Sequence, residues 1–164
     1  MGKTKKMVVL GILVSQALIL HIIERMIPVL PVPGVKLGLA NAISLMTIAF
    51  FGAKEAILVV VLRTFLGSVF GGGISAFLYS LVGGVISTGA MAIMYKYFGD
   101  LFSLPAISVV GAVFHNIGQL AVASLIVMNL RLFVYLPVLM ISAVITGLFI
   151  GFAVQYTLKP MKHI

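Results

Sequence analysis

The chain has 164 residues, 62% of them hydrophobic and 9% charged, with a mean hydropathy of +1.28. Fourteen charged side chains cannot clothe a soluble domain of this length, so an ordinary water-soluble fold is excluded and one transmembrane domain over residues 1–164 is expected. The net charge of +8 does not point to nucleic acid, because the basic residues stand at the ends of apolar runs, and the lack of cysteine excludes disulfides, thiolate catalysis and cysteine-ligated metals.

Charges, prolines and glycines divide the chain into six predicted spans of an all-α membrane protein. The first, Met7–Ile27, follows Lys3, Lys5 and Lys6 and ends at Pro28, Pro31 and Pro33; it is too long for a signal-peptide core and reads as a retained helix. The second, Leu37–Phe51, ends at the Gly52–Glu55 turn, and the third, Ala56–Phe70, stops at Gly71, Gly72 and Gly73. Both fall below the roughly 20 residues of a usual span and are expected to be tilted, broken or cavity-lining. The fourth covers Ile74–Tyr97, the fifth Pro105–Leu130 and the sixth Leu132–Leu158.

Six spans place both termini on one side. Lys3, Lys5, Lys6, Lys54, Lys96, Lys159 and Lys162 then oppose Arg25, Lys36 and Arg131, which makes the termini cytoplasmic and the protein a multi-pass component of the cell membrane. Small residues recur four apart at Gly11 and Ser15 in the first span, and at Ala143, Gly147 and Gly151 in the sixth. Such ridges let backbones approach closely in lipid. Internal packing is the expectation for the sixth span, whereas the first can equally present its ridge to another subunit.

Polar residues within spans are the informative ones, since each costs free energy in lipid. Arg63 stands eight residues beyond Glu55, near the midplane, where an arginine costs about 2.5–3.5 kcal/mol. It reads either as a ligand for an anionic or strongly polar molecule or as a structural residue. The only acids, Glu24, Glu55 and Asp100, all lie near span ends. His115, Asn116 and Gln119 cluster in the fifth span; His115 and Gln119 share a helix face, and Gly118 leaves room beside them, as in a cavity wall. One histidine without a nearby acid is a poor metal site, and no metal or cofactor is expected. Lys36, Asn41, Ser44, Tyr79, Ser80, Asn129 and Arg131 are outer-side candidates for the rim of a pocket. Glu24 and Arg25 are expected to form a solvated pair beside His21.

The stretches Pro33-Gly-Val-Lys-Leu-Gly-Leu-Ala-Asn41, Arg63-Thr-Phe-Leu-Gly-Ser-Val-Phe-Gly-Gly72, Ser75-Ala-Phe-Leu-Tyr-Ser-Leu-Val-Gly-Gly84 and His115-Asn-Ile-Gly-Gln119 resemble the membrane family catalogued as heptaprenyl diphosphate synthase component I. That family in turn resembles the substrate-binding S components of energy-coupling factor transporters. The resemblance implies six helices around an outward-opening pocket gated by outer loops, with the Gly11/Ser15 ridge meeting a transmembrane coupling subunit. It also implies ATPase subunits as partners, for the chain carries no phosphate-binding G-x-x-x-x-G-K-[ST] loop of its own. The family name implies an enzyme, but a lone Asp100 without paired carboxylates cannot hold Mg²⁺ against a diphosphate. The sequence therefore reads as a non-enzymatic, substrate-binding membrane component for uptake of a vitamin-, flavin- or isoprenoid-like molecule, surrounded by membrane lipid. The alternative is an accessory subunit presenting lipid to a soluble prenyl diphosphate synthase.

Overall fold

In the computed structural model, residues 2–26 and 38–159 are described. They form six α-helices: α1 (Lys3–Met26), α2 (Ala40–Phe51), α3 (Ala53–Gly67), α4 (Gly73–Phe98), α5 (Leu104–Ile126) and α6 (Leu136–Leu158). A widened turn, Ser68–Gly72, joins α3 to α4, and a 3₁₀ turn, Leu130–Tyr135, precedes α6. The expected Pro-rich segment 27–37 lies outside the described residues.

Length separates the helices into two kinds. Four apolar segments, Lys3–Glu24, Gly73–Phe98, Leu104–Ile126 and Leu130–Leu158, are long enough to cross a bilayer. At 1.5 Å per residue, the 23 residues of α5 cover about 34 Å, against a hydrocarbon core of about 30 Å. α2 and α3, with 12 and 15 residues, cover only about 18 and 22 Å. Their shortness follows from the punctuation around them. Gly52, at φ +94°, ends α2 and starts α3 in a single residue, and Gly71 and Gly73, at φ +94° and +70°, turn the chain into α4.

The short α2 is the centre of the bundle and touches each of the other five helices. Ala40, Asn41, Ile43, Ser44, Leu45, Thr47 and Ile48 are all buried on it. Backbone closeness at glycine organises the long helices. A Cβ on Gly118 would come within 3.0 Å of the Gly83 Cα, and one on Gly147 within 2.6 Å of the Val109 Cα; one on Gly151 would strike Pro105. The ridge Ala143, Gly147 and Gly151 is thus spent on internal packing against α5, as expected. Gly11, by contrast, has open space where a Cβ would stand, and the Ser15 hydroxyl donates back to the Gly11 carbonyl at 3.0 Å. That ridge faces away from the bundle.

The bundle is apolar outside as well as within. Ile141, Ile145 and Phe149 form an exposed stripe on α6, and Val8, Ile12, Ile19 and Ile23 another on α1. Meanwhile fifteen polar or charged residues are buried. That distribution is unfavourable in water and favourable in lipid, which solvates the apolar exterior while the polar groups find partners inside. The ends differ in charge: Lys6 pairs with Glu55, joining the starts of α1 and α3, and Asp100 and Lys159 line one cleft at that same end.

Candidate functional site

Toward the end of the bundle opposite this lysine-rich end lie the buried His21 and Glu24 of the last turns of α1 and Asn41 of the first turn of α2. Arg63, 2% exposed, projects from the last turns of α3. Its Nη1 lies 3.5 Å from His21 Nδ1 on α1, and its Nη2 donates to Asn41 Oδ1 on α2 at 3.4 Å. A guanidinium only donates, so this contact is a hydrogen bond in the tautomer whose Nδ1 accepts. The imidazole lies over Gly67, where a Cβ would come within 2.9 Å of Nε2; no larger residue at that position leaves the ring in place. On the α4 side, a Cβ on Gly84 would stand 3.2 Å from Arg63 Nη2. Glycine at 67 and at 84 is what lets His21 and Arg63 occupy the helix crossings.

Glu24 lies one turn from His21 on the same face of α1. It is 4% exposed and accepts from the backbone N–H groups of Gly38 and, at 3.3 Å, Leu39. These groups precede the first turn of α2, so the carboxylate satisfies donors at the positive end of that helix dipole. Glu24, expected to be solvated, is instead buried and holds α2; its expected pairing with Arg25 involves a side chain outside the described set. The reason is α2 itself, whose unsatisfied N-terminal donors draw the carboxylate inward.

The second polar group sits across α4. A Cβ on Gly83 would meet Gln119 Cγ at 2.7 Å and His115 Nδ1 at 3.3 Å. Successive glycines of α4 therefore face the two groups, Gly84 toward Arg63 and Gly83 toward His115 and Gln119. With 3.8 Å between neighbouring Cα atoms, Arg63 Nη2 and Gln119 Cγ are no more than about 13 Å apart. Asn116 turns elsewhere and donates to the Leu139 carbonyl of α6 at 3.0 Å. Tyr79 is half-buried one position before the buried Ser80. Arg131 is exposed, with its backbone N–H donating to the Asn129 side chain at 3.0 Å. Lys36 lies outside the described residues.

Several of these buried polar atoms have no hydrogen-bond partner among the described residues: Gln119 Oε1 and Nε2, Asn41 Nδ2, Arg63 Nε, Ser44 Oγ, Ser87 Oγ and Thr88 Oγ1. Buried polar atoms are nearly always hydrogen-bonded, and unpartnered ones are what a bound polar molecule or water would satisfy. By contrast, the Thr47 and Thr64 hydroxyls donate to carbonyls of their own helices.

The sequence marked Arg63, Asn41, His115 and Gln119, gave Glu24 only a pairing with Arg25, and left His21, Ser87 and Thr88 without a role. The one available signal was periodicity. His21 and Glu24 are three apart, and Gly83 and Gly84 recur four residues later as Ser87 and Thr88.

A separate cleft of about 900 Å³ opens at the lysine-rich end, between the ends of α2, α4 and α6 and the start of α5. Phe50, Phe102, Phe152, Tyr95 and Tyr156 line it, with Asp100 and Lys159.

No curated protein and no solved structure is significantly similar to the chain. The family model described as heptaprenyl diphosphate synthase component I matches residues 13–157, which include every described residue of the interior site, and the chain belongs to that family.

Proposed function

We propose that this protein is the substrate-binding membrane component of a small-molecule uptake transporter, with both termini in the cytoplasm of a cell whose plasma membrane it spans. The observation that carries this reading is the set of unpartnered polar atoms around Arg63, Asn41 and Gln119, enclosed by helices whose outer faces are apolar. A purely structural polar core satisfies itself. In this reading Arg63, Asn41, His115 and Gln119 contact the substrate, with Tyr79 toward its entrance and Lys36 a further candidate contact. Asn116 keeps α6 against the site. The outward-facing Gly11/Ser15 ridge is the surface for a transmembrane coupling subunit, and ATP hydrolysis belongs to partner subunits. The protein itself is non-catalytic.

A second reading has its own support. The family's description, together with the aromatic cleft at the lysine-rich end, favours an accessory subunit that presents a lipid to a soluble prenyl diphosphate synthase. Affinity purification of the tagged protein from its native membrane separates the two. Recovery of ATPase and coupling subunits is expected, with loss of both in Gly11→Leu. Recovery of a prenyl diphosphate synthase without ATPases would overturn the transporter reading.

A further inference from the structure

We infer that the cleft at the lysine-rich end is a second binding site, separate from the interior one. It takes the head group of a zwitterionic phospholipid, with the ammonium toward Asp100 and the phosphate toward Lys159.

The first support is that the fold builds this cleft. Its volume of about 900 Å³ lies within the range of small-molecule sites, about 300–1,000 Å³. Phe50 comes from the end of α2, Tyr95 from α4, and Phe152 and Tyr156 from α6, so no single helix makes it. Asp100 and Phe102 arrive on the turn between α4 and α5. That turn is held in place: the Leu101 and Phe102 N–H groups donate to the Phe98 carbonyl at 3.0 and 2.9 Å, and the Phe102 ring packs edge-on to Phe98 at 6.4 Å. Gly99 lets the chain fold back here, since a Cβ would stand 2.5 Å from the Tyr95 carbonyl oxygen. Lys159 sits just past α6, with its N–H donating to the Gln155 carbonyl at 3.0 Å.

The second support is where the cleft opens. Ile141, Ile145, Phe149, Phe152 and Tyr156 recur every three or four residues, so they share one face of α6, and all five are exposed. The first three form the apolar stripe that faces lipid, and the last two line the cleft. A molecule whose hydrocarbon lies along the stripe therefore brings its polar end into the cleft, at the level where α4 and α6 end and α5 begins. Tyr95 and Tyr156 suit that level, because a tyrosine ring favours the apolar side of a membrane interface and its hydroxyl the wet side.

The third support is charge. Asp100 and Lys159 are both exposed, both line the cleft, and neither forms an ion pair among the described residues. The lysines of this end attract anionic lipid in a general way. The cleft adds a carboxylate, which only accepts hydrogen bonds, to an ammonium, which only donates them. A head group with an ammonium and a phosphate satisfies both, whereas a purely anionic one meets like charge at Asp100.

The test uses the full-length protein in mild detergent and native mass spectrometry. Phosphatidylethanolamine and phosphatidylglycerol with identical acyl chains are added at equal concentration, and the ratio is read at the first bound lipid. Wild type is expected to retain the ethanolamine lipid in about threefold excess, the size of effect that exposed ion pairs support. Asp100→Asn should bring the ratio to one or below, and Lys159→Gln should lower retention of both lipids. Lys54→Gln, at an exposed lysine of the same end outside the cleft, should leave the ratio unchanged. A wild-type ratio of one or below, no response to Asp100→Asn, or an equal response to Lys54→Gln overturns the inference. So does displacement of the lipid by millimolar phosphoethanolamine, which carries the head group without the chains. Stronger retention of farnesyl diphosphate than of the ethanolamine lipid also overturns it and favours the accessory-subunit reading. These substitutions leave the interior site untouched, so the reading of that site stands or falls separately.

Discussion

The hold of Arg63 on the interior can be measured without any ligand. Arg63→Met keeps the apolar stem and removes the contacts to His21 Nδ1 at 3.5 Å and to Asn41 Oδ1 at 3.4 Å, both near the long limit and each worth toward the low end of about 0.5–1.5 kcal/mol. The change also relieves the desolvation of a guanidinium that is 2% exposed, so the empty protein should lose no more than about 1–2 kcal/mol. Asn41→Leu removes the Asn41 acceptor alone. A cycle between Arg63→Met and Asn41→Leu should give a coupling energy of about 1 kcal/mol, read from unfolding of the empty protein in mixed micelles at pH 7. Additivity to within about 0.3 kcal/mol would refute the Arg63–Asn41 hydrogen bond. A loss above about 4 kcal/mol in Arg63→Met alone would make Arg63 a structural residue and refute its assignment to the substrate.

Cysteines placed at Ser103 and Met128, which bracket the 23-residue α5, should label from opposite faces of sealed vesicles, Ser103 from the cytoplasmic face; labelling from one face would defeat the proposed topology. Gly147→Ala and Gly151→Ala should each destabilise the protein by about 2 kcal/mol or more, because the added carbon meets the backbone of α5 and not a movable side chain. Gly11→Leu should leave thermal stability unchanged in detergent while abolishing recovery of membrane partners, since nothing in the bundle occupies that position. The Lys6 hydrogen bond, first, and the backbone at its own helix start hold the Glu55 carboxyl below its ordinary value of 4.5. A lowered acid stabilises the fold fully above its ordinary value and loses that contribution as pH falls through the lowered one. The stability difference between wild type and Glu55→Gln should thus be constant from pH 7 to 5 and shrink only below about 4.5.

What the sequence made legible is what composition and short-range spacing determine. Apolar runs and glycine punctuation gave the membrane class, six helices and the shortness of α2 and α3, and the Gly147/Gly151 ridge gave the α5–α6 contact. Arg63 stood out because a charge within an apolar run has no local explanation. Its neighbours were not legible, for His21 and Arg63 are 42 positions apart and Glu55 and Lys6 are 49 apart. Only the crossing of α1 with α3 makes these residues neighbours, and no local rule predicts it. Glu24 misled for a related reason. At the end of a span an acid beside Arg25 reads as solvated, yet the decisive group was the uncapped start of α2, whose position depends on the segment between them. The central place of α2 follows from the same economy. A 12-residue helix too short to cross a bilayer cannot satisfy its terminal donors in lipid, so it must be surrounded by protein that supplies the missing partners. Glu24 is one such partner. Burying α2 in this way brings Asn41 and Ser44 into the interior, where Asn41 meets Arg63 from α3. The short helix that looks like an interrupted span is thus the element that makes a polar interior possible in so apolar a chain.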